Sequence, residues 1–312
     1  MKKSLLVGVM AVCYGVSLYA AEINVLTGGT SGIYYPLGVA LSQIYAKAIP
    51  TSKTTVQATK ASVENLNLLQ VGRGEAAISL GDSLSDAYKG NAEAGFKSPL
   101  SKLRTIAALY PNYIHFVAAA DSGIKSFADI KGKRISVGAP KSGTELNSRA
   151  ILAAAGLSYK DFSKVEYLSY SESVELMKNR QLDVTLLSSG AGVAALRDLA
   201  TSQKVVFLTI PEEIVKKIDD PAYQVGIIPA NTYEGQTADV QTVSVQNFLV
   251  THSGVSEQTV YTMTKTMFEN LDQMIAAHAA AKGINLANAA KNPPAPLHPG
   301  AEKYYKEMGL IK

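Results

Sequence analysis

Five polar turns in this 312-residue chain place hydrogen-bond donors at the end of a strand or the start of a helix. The first is Thr27 to Gly32, which carries Ser31 and Gly32 and leads straight into Tyr34 and Tyr35. The others are Ser62-Val63-Glu64-Asn65, Gly81-Asp82-Ser83, Lys141-Ser142-Gly143-Thr144-Glu145 and Ser188-Ser189-Gly190. The first-turn N–H groups of a helix lack an acceptor within it, and its dipole favours negative charge, so such turns suit a small anion without any fixed cation. Each also has a plain structural reading. Ser142 and Glu145 have capping-box spacing, Ser62 is placed to cap a helix, and Thr27 to Gly32 reads equally as an ordinary βα turn. If its turn binds rather than caps, Asn65 would be the ligand contact, because an amide both donates and accepts, while Glu64 is solvated or supports the helix dipole. Asp82 is either an acceptor for backbone N–H groups or a receptor for a ligand ammonium.

Catalytic patterns do not fit these turns. A phosphate-binding loop needs Gly-Lys five residues after its first glycine, and Gly28 is followed at that offset by Ile33. A nucleophile elbow needs glycine two residues after the serine, where Ser31 again meets Ile33. The four histidines, His115, His252, His278 and His298, have no metal-ligand spacing. No Ser-His-Asp or paired-carboxylate arrangement can be traced. The reading is binding without turnover: no enzyme, no catalytic residue, no metal and no cofactor.

The elements that must position these turns alternate strand and helix almost throughout, which implies α/β layers with mainly parallel sheets. Strands are expected at Ile23 to Leu26, Thr54 to Thr59, Ala76 to Leu80, Leu103 to Tyr110 and His115 to Ala120, the last two flanking a Pro111-Asn112 turn. Further strands follow at 134–138, 165–169, 183–188, 205–210 and 240–250, and a long helix at Ser256 to about Ala281, with the Ala-rich stretch 277–281 as helix. Residues 292–299, NPPAPLHP, read as an extended surface strap. Two lobes, 21–117 with 230–312 and 118–229, joined by extended crossings near Phe116 to Asp121 and Gln224 to Asn231, would enclose a cleft.

Residues 1–20 read as a secretory leader: Lys2 and Lys3, an apolar run from Leu5 to Leu18, and a cleavage site near Ala20. Cys13 lies inside that run without the small-residue pattern of a lipoprotein signal, so the exported chain has no thiol chemistry. Removing the two lysines takes the formal charge from +4 to +2, with no basic block for nucleic acid or an anionic membrane.

The segments GTSGIYYPLG (29–38), SVENLNLLQVGRGEAAIS (62–79), SGIKSFADIKGKRISVGAPKSGT (122–144) and IPANTYEGQTADVQTV (228–243) resemble one family, the TAXI (TRAP-associated extracytoplasmic immunogenic) solute receptors. VYTMTKTMFENLDQM (260–274) and PLHPGAEKYYKEMGL (296–310) extend the resemblance over nearly the whole exported chain. It implies a two-lobed, type II periplasmic-binding-protein fold. The implied role is a monomeric periplasmic receptor that captures a small organic anion, an acidic amino acid such as glutamate or a 2-oxo dicarboxylate such as 2-oxoglutarate. It would deliver that anion to a TRAP-type, ion-gradient-driven permease. Family contacts would map onto Ser31, Gly32, Tyr34, Tyr35, Asn65, Asp82, Ser83, Ser142, Gly143 and Thr144; on the reading of the residues alone, Ser188 and Ser189 complete the ring from the second lobe. The chain departs from the family at Gly190-Ala191-Gly192, where relatives carry Gly-Ala-Pro, and at Pro140-Lys141-Ser142, where they carry a Gly-Ser stretch. The alternatives are a receptor for an ABC transporter of similar fold, marked by a neighbouring ATPase gene, and a periplasmic sensor for a membrane kinase, marked by lost signalling on deletion.

Overall fold

The computed structural model describes residues 22–312, and the leader assigned to 1–20 lies outside them. The chain opens with β1 (Glu22–Leu26), α1 (Tyr34–Ala48), β2 (Lys53–Gln57), α2 (Ser62–Gln70), β3 (Ala76–Leu80) and α3 (Gly81–Lys89). A 17-residue strand, β4 (Leu103–Ala119), carries it into the second lobe. That lobe holds β5 (Arg134–Ser136), α4 (Gly143–Ala154), β6 (Lys164–Glu166), α5 (Tyr170–Lys178), β7 (Val184–Ser189), α6 (Ala194–Ser202), β8 (Val205–Leu208), α7 (Glu212–Lys217) and β9 (Tyr223–Ile228). The 13-residue β10 (Val240–His252) brings it back to α8 (Glu257–Glu269), α9 (Leu271–Ala277) and α10 (Pro299–Glu307).

Among the described residues the strands form one sheet in the order β2-β1-β3-β10-β4-β7-β5-β6, with β8 added to β4 and β9 to β10. Within each lobe the βα units give parallel pairs, β1 with β2 and β3, and β5 with β6 and β7. β4 and β10 are antiparallel to each other and to the strands they join. β4 pairs with β10 up to Tyr113 and with β7 from Tyr113 to Ala118; β10 pairs with β9 from Val240 to Val245 and with β3 from Asn247 to Val250. Each long strand therefore changes neighbours near its middle, at Asn112-Tyr113 and at Gln246-Asn247. Of the segments expected as crossings, 116–121 is mostly the end of β4 and 224–231 is largely β9, hydrogen-bonded along β10.

The Pro111-Asn112 turn is not formed. Proline removes a ladder donor and is disfavoured in a central strand, but here it faces Gln246, where the β10 register slips before Phe248. The irregularity accommodates the missing N–H, and β4 runs through. The long C-terminal helix is also interrupted. Asn270 leaves helical geometry (φ −125°, ψ 34°) while its side-chain amide donates to the Thr266 carbonyl, 2.8 Å. His278 is extended and its Nδ1 accepts from the Ala280 N–H, so the Ala-rich stretch forms a 3-10 turn, Ala279–Gly283. Helices α3 and α7 were not expected from sequence. The expected strap is bent rather than extended, with Asn292 left-handed (φ 45°) and α10 beginning at Pro299, and it is tied down: the Thr105 N–H donates to the Pro296 carbonyl, and Ala295 is buried.

Burial follows the layers. All five residues of β3 and all six of β7 are buried because helices cover both faces, whereas the edge strand β2 alternates exposed and half-buried. A Cβ at Gly38 would collide with the Thr27 methyl, so glycine lets α1 lie directly on β1 and fixes where the first turn opens. Arg134 and Asp183 pair bidentately, Nε to Oδ2 at 3.0 Å, and pin β5 beside the start of β7.

Candidate functional site

Four helices begin at one place. The starts of α1 and α2 in the first lobe and of α4 and α5 in the second border a cavity of about 110 Å³. Its wall includes Ser31, Gly32 and Tyr34, then Lys60 to Ser62, then Ser142 to Thr144, then Ser169 and Tyr170, and it closes with Ser188 and Ser189 at the end of β7. Among the described residues, the N–H groups of Tyr34, Ser62, Gly143, Thr144 and Tyr170 have no protein acceptor. Each helix start carries roughly half a positive charge. Among the described residues, Lys60 is the only formally charged side chain on the wall. Donors and partial positive charge converge here without a carboxylate to oppose them.

Local sequence caps two of the four starts. Ser142 caps α4: its Oγ accepts the Glu145 N–H at 3.1 Å and donates to the Ala139 carbonyl at 2.7 Å. The Glu145 carboxylate turns away from the cap to pair with Arg149 and Tyr159, so the box closes on one side only. Ser169 and Glu172 form the complete box that opens α5. Ser62 does not cap α2; it is the first helical residue, and its Oγ accepts the Leu80 N–H at 3.1 Å. Glu64 accepts the Lys60 N–H at 2.6 Å, tying the turn ahead of the helix.

Of the twelve residues expected at the site, Ser31, Gly32, Tyr34, Ser142, Gly143, Thr144, Ser188 and Ser189 meet around this cavity. Tyr35, Asn65, Asp82 and Ser83 do not line it. Tyr35 sits half-buried one residue further round α1. Asn65 lies beneath the floor with its amide engaged: Nδ2 donates to the Thr27 and Ile78 carbonyls at 2.7 and 2.9 Å, and Oδ1 accepts from Thr59 at 2.6 Å. Asp82 accepts from the Ser83 N–H (2.7 Å), Asn147 Nδ2 (2.6 Å) and the Tyr223 hydroxyl (2.6 Å). Burial pushes its carboxyl up to about 6, against the lowering effect of the Tyr223 and Ser83 bonds. It is a structural acceptor, and it joins α3 of one lobe to α4 and β9 of the other. Ser83 is buried beside it. Helix start α5, with Ser169 and Tyr170, was missed although it carries the same Ser-x-x-Glu signal that marked Ser142.

The lobes meet around the cavity. The Glu64 N–H donates to the Lys141 carbonyl at 3.2 Å, and the Ala195 N–H to the Ser31 carbonyl at 3.3 Å. Arg149 reaches across to the Glu93 carbonyl. Lys141 is exposed and takes a left-handed backbone, φ 63°, at the place where relatives were expected to carry small residues. Gly143 touches the first lobe so closely that a Cβ there would lie 2.6 Å from Leu80 Cδ1 and 2.8 Å from Ser62 Oγ.

His115 stands apart from the cavity. It is fully buried, hydrogen-bonded to the Tyr233 hydroxyl at 3.0 Å, and burial lowers its pKa to about 4. Among the described residues no cluster of three His, Cys, Asp or Glu side chains is arranged to hold a metal ion.

A family model described as NMT1-like family matches residues 25–309. The chain belongs to the NMT1-like family. Its fold is that of the periplasmic solute-binding proteins. One similar solved structure is the alkanesulfonate-binding protein SsuA from Xanthomonas axonopodis pv. citri bound to MOPS, 16% identical, covering 92% of this chain and 83% of that one, with a TM-score of 0.50. A structure described as a periplasmic transporter is 12% identical, covers 94% of both chains and reaches a TM-score of 0.58. An ancestral arginine-binding protein bound to arginine is 14% identical, covers 84% of this chain and 99% of its own, and has a TM-score of 0.51. At these identities the likeness is one of fold. The NMT1-like chain also has no helix, among its described residues, long and apolar enough to cross a membrane.

Proposed function

We propose that this NMT1-like protein is a periplasmic solute receptor, not an enzyme. It would capture a small organic carboxylate and hand it to a TRAP-type membrane permease, as the TAXI resemblance implies. The observation that carries the reading is the convergence of four helix N-termini, two from each lobe, on one cavity without an opposing acid. A carboxylate there would accept from the N–H groups of Gly143 and Thr144 on one side and of Tyr34 and Ser62 on the other. Because the donors belong to both lobes, the ligand contacts are complete only when the lobes are together, and that difference in affinity shifts the population toward closure. The lobes, 21–117 with 230–312 and 118–229, would turn about β4 and β10. The wall offers serine hydroxyls but no histidine, cysteine or carboxylate to activate them, which favours binding over turnover.

A thermal-shift screen against amino acids, 2-hydroxy acids, 2-oxo acids, dicarboxylates and alkanesulfonates identifies the ligand class, since a ligand for the native state raises the melting temperature. Thr144→Asp then places a fixed negative charge at the second position of α4, where aspartate suits the helix and the fold persists. The expected result is at least a hundredfold loss of carboxylate affinity by calorimetry. Unchanged affinity would remove the anion from this cavity.

A further inference from the structure

A buried line of hydrogen bonds runs behind the cavity and passes through both strand crossings. The Tyr34 hydroxyl donates to Asn247 Oδ1 at 2.5 Å. Asn247 Nδ2 donates to Asn112 Oδ1 at 2.7 Å and to the Tyr110 carbonyl at 2.9 Å. Asn112 Nδ2 donates to the Ser188 carbonyl at 2.9 Å. That same carbonyl takes the Tyr170 hydroxyl at 2.5 Å, and Thr144 Oγ1 lies 3.0 Å from the Tyr170 oxygen. Asn112 and Asn247 are 1% and 0% exposed, and they sit where β4 and β10 change neighbours.

The direction of every bond in this line is determined. Carbonyl oxygens carry no proton, so those of Tyr110 and Ser188 each require an N–H or O–H. Asn247 must therefore turn its NH₂ toward Tyr110, since a flipped amide would set oxygen against oxygen at both Tyr110 and Asn112. That leaves Oδ1 facing Tyr34, whose phenol must donate. Ser188 likewise takes the proton of Tyr170, and the Thr144 hydroxyl then donates to Tyr170. A neutral phenol has one proton. Burial raises both phenols, Tyr170 to about 12, so each holds that proton at neutral pH and spends it behind the wall. Tyr34 and Tyr170 both line the cavity, and with that proton spent their oxygens offer lone pairs only; the Ser62 hydroxyl uses one at Tyr34 and the Thr144 hydroxyl one at Tyr170, leaving each a further lone pair. The serine hydroxyls on the wall rotate and serve in either sense; Tyr110 does not line it.

We propose that Asn112 and Asn247 are specificity-determining residues. By holding Tyr34 and Tyr170 as acceptors, they make the cavity select carboxylates that carry an N–H or O–H donor on the neighbouring carbon over those with a carbonyl oxygen there. The inference rests on the receptor reading above and narrows it: helix N-termini take the carboxylate, and the two phenol oxygens take the donor. A 2-oxo acid would instead set its carbonyl oxygen against those lone pairs, leaving polar atoms unpaired where the lobes close over them.

The test is calorimetry with two matched sets, L-alanine, L-lactate and pyruvate, and L-glutamate, 2-hydroxyglutarate and 2-oxoglutarate. In the wild type, the donor-bearing members of the set that fits should bind at least tenfold tighter than the oxo member. In Tyr34→Phe and Tyr170→Phe that ratio should fall toward one. In Asn247→Leu the Tyr34 proton is released and the oxo acid should gain relative to its partners. A purely structural role would lower all affinities together and leave the ratio alone. If Asn247→Leu does not fold, the two phenylalanine variants decide. An oxo acid binding the wild type as tightly as its partners, or a ratio unmoved in both phenylalanine variants, overturns the proposal while leaving the receptor reading standing. Absence of binding by every carboxylate, when the phenylalanine variants and wild type are folded, overturns both.

Discussion

Gly143→Ala separates lobe closure from folding. Gly143 is the first residue of α4 and has no left-handed backbone, so alanine suits its conformation. In the helix alone, alanine is favoured over glycine by about 1 kcal/mol. The new methyl would stand 2.6 Å from Leu80 Cδ1, 2.8 Å from Ser62 Oγ and 3.0 Å from Ser62 Cβ, all in the opposite lobe. Carbon atoms in contact prefer about 3.5–4.0 Å, so the overlap at Leu80 is near 1 Å and the lobes cannot meet without a shift. Overpacking of this kind costs about 1–3 kcal/mol. That cost falls on the closed state alone, because the methyl meets nothing across the interface once the lobes part. It corresponds to a loss of affinity of roughly 5- to 150-fold at about 1.4 kcal/mol per factor of ten. The assay is calorimetry with the carboxylate found in the screen, beside small-angle scattering of wild type and variant. Melting without ligand should be unchanged or slightly raised, and the variant should stay more extended when ligand is added. Undiminished affinity, with equal compaction, would refute the argument that α4 closes on β3 and α2 around the ligand.

Two buried titrating groups give opposite pH signatures. Asp82 has a native pKa raised from 3.8 to about 6, so the native state holds its proton more tightly than the unfolded chain does. The stability it contributes is full below about pH 4 and lost as pH rises through 6, by about 3 kcal/mol at 1.36 kcal/mol per unit. His115 is lowered from 6.5 to about 4, so its contribution is full above pH 6.5 and lost as pH falls toward 4, by a similar amount of about 3 kcal/mol. In urea unfolding from pH 4 to 7, Asp82→Asn should gain relative to wild type as pH rises, and His115→Gln should gain as pH falls. Parallel curves for wild type and both variants would contradict the buried environments described. Tyr223→Phe removes one of the three donors to Asp82 and should cost about 1–3 kcal/mol of stability, read by the same method at pH 7. No loss would mean that water replaces the phenol and that the Asp82 contact does not hold the lobes.

The turns were readable from residues alone because their signals are local. A β-branched strand followed by Gly, Ser and Thr, then apolar residues three and four apart, marks a helix start whatever surrounds it. That is why the starts of α1, α2 and α4 were found, and why Ser169, bearing the same signal, was within reach. The roles of Asn65 and Asp82 were not legible. An amide or carboxylate at a strand end can face a ligand or a carbonyl, and only residues distant in sequence, Ile78 for one and Asn147 and Tyr223 for the other, decide which. The Pro111-Asn112 stretch misled for a similar reason: proline marks a turn locally, but the register slip opposite it in β10 allows the strand to continue.

Taken by itself, the sequence determined the α/β alternation and the polar helix starts, since each follows from periodicity and short-range backbone chemistry; the two-lobed plan came from the family resemblance. Tertiary structure alone decided that the starts of α1, α2 and α4 share one cavity with that of α5, that β4 and β10 carry the crossings, and that Asn112 and Asn247 orient the phenols behind the wall. Those outcomes depend on which strands pair across more than a hundred residues. Hydrogen-bond direction, in turn, is dictated by the one carbonyl each amide happens to meet.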